Sequence, residues 1–136
     1  MGIEVVWDEQ VENVIVYKFQ AKWTWHEFLV AFYEHELPMA QFLDGQPYAV
    51  IGDLLNSQPL PPGSGITHVY GIFKKYPANH TLTMIVTPNS FVRTLLSVGM
   101  RVYPETRTAF ASVDTLDEAR NQIRQRFGQG QAASGD

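Results

Sequence analysis

The chain has no cysteine among its 136 residues. That absence excludes disulfides, thiolate metal sites, thiol nucleophiles and Cys-ligated clusters. It has no excess of basic charge: ten Lys/Arg stand against fourteen Asp/Glu, for a formal charge of −4. The basic residues are scattered, with only Lys74-Lys75 and Arg124/Arg126 close together. A nucleic-acid footprint needs a basic stripe, so nucleic acid is not expected as a partner. No run approaches the roughly 18 consecutive apolar residues of a membrane span, and no secretory signal opens the sequence. The expectation is a soluble cytoplasmic protein. Walker and dinucleotide fingerprints are missing too: Gly63-x-Gly65 is followed by Ile66 and Thr67, without Lys-Ser/Thr or a third spaced glycine. Gly-x-Ser-x-Gly is absent. His26, His35, His68 and His80 lie on different segments and form no His-Glu-x-x-His. No cofactor, no metal and no enzymatic activity are expected.

The order of hydrophobic segments is what the chain does offer. With 45% hydrophobic and 18% charged residues, the composition is that of a globular domain rather than a disordered chain. Ile3 to Trp7 and Val14 to Phe19 are β-prone and pair as a hairpin. Thr24-Trp25-His26-Glu27 has the form of a capping box, and Trp25, Phe28, Leu29 and Phe32 share the face of the helix behind it. Pro38 limits that helix. Tyr48 to Asp53 is a strand of the buried type, opening into a breaker-rich loop with Pro59, Pro61, Pro62, Gly63 and Gly65. Ile66, Val69, Tyr70 and Phe73 mark the next helix, and Leu82 to Val86 the next strand. Thr87-Pro88-Asn89-Ser90 starts a helix with Phe91, Val92, Leu95 and Leu96 on one face and Gly99 as its left-handed cap. A strand over Thr108 to Val113 and a second capping box at Thr115 to Glu118 complete the pattern.

The reading is one α/β domain over residues 1–127, of order ββαβαβαβα, with a disordered tail at 128–136. Its sheet has about five mostly parallel strands with an N-terminal hairpin, beside about four helices.

That order, the Val86-Thr87-Pro88 strand exit and the Phe110-Ala111-Ser112 strand leading to the Thr115 to Ala119 helix start resemble the STAS domain, also called the SpoIIAA-like or anti-sigma-factor-antagonist fold. The resemblance implies an uncharacterised bacterial signalling module without catalysis, which binds a protein partner of the kinase/anti-sigma kind or itself as a homodimer. In that family a serine at a helix start is phosphorylated. Here Asp53 ends the strand, Leu55 takes the place of a first serine, and Ser64-Gly65 matches the Ser-Gly pair.

Ser64 is therefore the candidate phosphosite, against the plainer reading of the side chain as only an N-cap, a preferred role for serine. Asp53, Ser57, Gly63, Gly65, Thr67, Thr87, Asn89 and Ser90 make up the candidate partner or ligand surface, at the carboxyl ends of the strands where open α/β sheets bind ligands. Asp53 reads alternatively as a cap for a loop N–H. Trp23, Trp25 and Tyr33 form a candidate apolar patch. The alternative function is a small-ligand domain for lipid or nucleotide, and the feature that separates the two is an apolar cavity beside these aromatics.

Overall fold

The structure, a computed structural model, describes residues 2–63 and 65–134. Five strands form one sheet in sequence order: β1 (Ile3–Trp7), β2 (Val14–Ala21), β3 (Tyr48–Ser57), β4 (His80–Val86) and β5 (Phe110–Val113). β1 pairs antiparallel with β2, Val6 opposite Val16, and the remaining pairs are parallel. The expected α/β domain, mostly parallel with an N-terminal hairpin, is the one observed. Residues 14–17 of β2 and 48–52 of β3 are buried without alternation, as befits parallel strands covered on both faces.

One face of the sheet is solid. Val14, Val16, Ile51, Met84 and Val86 pack against Ala119 and Ile123 of α5 (Leu116–Ser134). An ion pair ties α5 to the β1–β2 turn: Arg120 Nη2 lies 2.9 Å from Asp8 Oδ1, with both side chains almost wholly buried. Burial raises the Asp8 carboxyl, but Arg120 and the Val11 and Gln10 N–H groups outweigh it and hold its pKa below the ordinary value.

The opposite face carries all the other helices. α1 (Trp25–Ala31) and α2 (Leu37–Phe42) are joined by a π-helical turn, Phe32–Glu36, and cover Ile15, Tyr17, Tyr48 and Val50. Thr24 accepts from the Glu27 N–H at 3.0 Å, as the capping box requires. The Glu27 carboxylate, however, accepts from Gly2 N at 3.1 Å, tying the amino-terminal segment to α1. α3 (Gly65–Phe73) and α4 (Ser90–Val102) lie over β3 to β5.

Several boundaries differ from the sequence reading. Pro38 does not end its helix, because the π turn shifts the hydrogen-bond register: the Leu37 N–H donates to Phe32 O, and Pro38 falls in the first turn of α2. β3 runs past Asp53 to Ser57, since β2 extends alongside it and pairs Ala21 with Ser57. Gly99 is not a cap. It lies inside α4, facing Ile66 of α3, where an added Cβ would sit 3.7 Å from Ile66 Cγ2, an ordinary contact. A 3-10 helix, Pro104–Thr108, replaces the start of the last strand. α5 continues to Ser134, through most of the stretch assigned to a tail; 135–136 lie outside the described residues.

Candidate functional site

The apolar face of α4 does not meet a packed core. Its thirteen residues include none that is buried, although Val92, Leu95, Leu96 and Met100 all point the same way, into a cavity. The floor of the cavity is the sheet: Phe19, Leu54, Ile85 and Phe110 come from four strands. Trp23, Trp25 and Phe28 close one side, and Ile66, Val69 and Tyr70 of α3 stand beside α4. The space, partly open to solvent, is about 120 Å³. An outer recess of about 300 Å³ adjoins it, lined by Pro61, Gly63 and Phe91. The two spaces share Trp25, Leu60, Gly65, Ile66 and Leu95, which form a waist between them.

Local sequence explains the waist. Gly63 has φ +115, a left-handed conformation that glycine adopts without strain, and it lets the proline loop turn beside Trp25. The Trp25 indole N–H donates to Pro61 O at 3.3 Å, and the His68 ring stacks on the indole with centroids 5.1 Å apart. Trp23 stands edge-on to Trp25 at 4.9 Å and donates to Ser57 Oγ at 2.8 Å. At the far end, the Tyr70 and Tyr103 rings stack 3.6 Å apart.

The residues singled out from the sequence separate into groups. Trp23 and Trp25 line the cavity, whereas Tyr33 is exposed and packs edge-on to Phe32, away from it. Gly63 and Gly65 belong to the recess and waist. Asp53 accepts from the Leu55 N–H at 3.0 Å, the local capping role. Ser57 accepts from Trp23 and donates to Gln58 O. Thr87 is only 2% exposed, its hydroxyl accepting from Asn89 N, so it offers no surface. Asn89 is the N-cap of α4, accepting from Phe91 N and Val92 N, and Ser90 is the exposed first residue of that helix. Thr67 lies on the outer side of α3. Ser64 lies outside the described residues.

A second cluster was not foreseen. Glu36, 1% exposed at the end of the π turn, accepts from the hydroxyls of Tyr17 at 2.5 Å and Tyr48 at 2.7 Å. Burial pushes its carboxyl up to about 7, against the opposing pull of those two donors. Burial first, then the Glu36 charge, raise both tyrosines. Beside them His80 stacks on Tyr76 and bonds Thr83 Oγ1 at 2.7 Å; burial drives the His80 imidazole down to about 3. Glu36 does not line the cavity. Among the described residues, no group of three or more His, Asp or Glu is placed to hold a metal ion, and no helix is long and apolar enough to cross a membrane.

A family model described as a divergent CRAL/TRIO domain matches residues 15–133, and the chain belongs to that family. No curated protein and no solved structure matches the chain. Family membership overturns the STAS resemblance, and with it the signalling module that binds a protein partner under phosphorylation control. The resemblance rested on element order and short strand endings. Any family that lays helices on a parallel sheet produces that order, so order alone does not assign a family or a function.

Proposed function

We propose that this CRAL/TRIO chain binds a small lipophilic ligand in the cavity between the sheet and the α3–α4 wall. The observation that carries the reading is the unfilled apolar face of α4, which has no buried residue in its thirteen. A surface helix is held to a sheet by burying its apolar stripe; here a ligand completes that burial. Each CH₂ brought into the cavity favours the complex by about 0.8 kcal/mol. CRAL/TRIO membership supports a lipophilic ligand. Among the described residues, the lining contains no acidic, basic or histidine side chain, which favours lipid over nucleotide, since a phosphate needs cationic or N–H partners. The reading involves binding alone, with no chemical step.

The test is calorimetric titration with a hydrophobic probe such as anilinonaphthalene sulfonate. Wild-type protein should bind saturably, and Leu96→Trp, which fills the cavity, should remain folded and bind at least tenfold more weakly. Equal binding by the two, or no binding by the wild type to this or any alkyl probe, would sink the proposal.

A further inference from the structure

We infer that the ligand is a single-tailed amphiphile, held with its tail inside and its polar end outside the Trp25 waist. The inference rests on the cavity being a ligand site and adds which molecule fits it and in which direction.

Size limits the tail. The inner space of about 120 Å³ is comparable to the roughly 150 Å³ engineered apolar cavity that holds one benzene. It takes one chain or one ring, not two side by side.

Polarity sets the direction. The inner wall is almost wholly apolar, and all but one of its polar side chains, Tyr103, are already engaged. Trp23 Nε1 donates to Ser57 Oγ, and Trp25 Nε1 to Pro61 O. The Tyr70 hydroxyl donates to Glu105 Oε2 at 3.1 Å, and the Thr106 hydroxyl to Tyr103 O at 2.7 Å. Among the described residues, no buried side-chain nitrogen or oxygen lacks a partner. A ligand hydroxyl placed against the Trp23, Trp25, Phe19 and Phe28 wall would give up water and meet apolar surface in exchange. Beyond the waist, the recess is bounded by the exposed Gly63 and by Phe91, which is 66% exposed, so a polar end placed there keeps its water.

The two alcohols compared are isomers, so their overall hydrophobicity is matched; the two lipids share a headgroup and differ by one acyl chain. Calorimetry on the full chain would measure n-octanol against octanol with its hydroxyl on the fourth carbon, then monooctanoyl against dioctanoyl phosphatidylcholine. The terminal alcohol should bind at least about fivefold more tightly, the factor equivalent to one unmet hydrogen bond of about 1 kcal/mol. The one-chain lipid should bind and the two-chain lipid should not bind more tightly. Leu96→Trp should abolish n-octanol binding while keeping the circular dichroism of the fold. Equal affinity for the two alcohols overturns the tail-inward direction, and tighter binding of the two-chain lipid overturns the single tail. Unchanged n-octanol binding in folded Leu96→Trp places the site elsewhere and overturns both. If neither alcohol nor n-octane binds, the lipophilic reading itself falls.

Discussion

Gly65 packs against the indole of Trp25: a Cβ built at residue 65 would come within 3.0 Å of Trp25 Cζ2 and 3.2 Å of Cη2. The waist of the cavity thus depends on a residue with no side chain. Gly65→Ala obliges the ring to shift by a few tenths of an ångström, and such overpacking costs about 1 kcal/mol or more. The expected outcome is a several-fold loss of affinity for n-octanol by calorimetry, beside a thermal midpoint lowered by a few degrees. Unchanged affinity would show that the contact holds the fold and not the opening.

Glu36 and His80 give the fold two opposed responses to pH. Glu36 is raised from 4.5 to about 7, so its contribution is complete below pH 4.5 and is lost as the pH rises towards 7. His80 is depressed from 6.5 to about 3, so its contribution is complete above pH 6.5 and is lost as the pH falls towards 3. Between 4.5 and 6.5 the two slopes, each about 1.4 kcal/mol per pH unit, oppose one another and leave stability nearly level. Glu36→Gln removes one slope. Urea unfolding of that variant should show stability rising with pH across this window by about 3 kcal/mol, where the wild type stays flat. A variant as flat as the wild type would mean that the carboxyl does not titrate there.

The ion pair of Asp8 with Arg120 is buried, and removing one partner strands the other. Arg120→Met should cost about 3–5 kcal/mol by denaturant unfolding. Replacing both, as Asp8→Leu with Arg120→Met, should cost less than the single change if the penalty is the unpaired carboxylate. The Val11 and Gln10 N–H groups that Asp8 also accepts from would still lose their partner in the double variant.

Asn89 caps two N–H groups at the start of α4. Asn89→Ala should cost about 1 kcal/mol. Because α4 forms the wall of the cavity, part of that loss should reappear as weaker ligand binding, measurable by comparing thermal midpoints with and without n-octanol.

Local signals made much of the fold legible. The β-branched run at Val14 to Phe19, the Thr24 cap and the Asn89 helix start are written within a few residues, and all three stand where expected, although the Glu27 half of the Thr24 box is spent on Gly2 instead. The cavity was not written anywhere. The spacing of Val92, Leu95 and Leu96 says which face of α4 is apolar, but not whether that face meets side chains or empty space. Glu36 was hidden for a different reason. In Glu34-His35-Glu36 it reads as one more charge on a solvated helix, and the tyrosines that receive it lie 19 and 12 residues away in sequence. Gly99 misled because a glycine near a helix end suggests a cap, whereas α4 runs on through it to Val102.

The two faces of the sheet therefore differ in how their covering helices are secured. α5 is anchored by side chains with no solvent exposure, Ala119 and Ile123, and by a buried ion pair. α4 has no such anchor. Helices with few buried apolar contacts open at a lower free energy than the rest of a domain. In the empty chain, α4 amides should exchange with solvent well before those of the central strands. An occupant would slow that exchange, because it is bound only while the wall is in place. On the proposed function, a cargo would act as a keystone: α1 and α2 close one end of that face with side chains, and the molecule bound beside α4 would close the other.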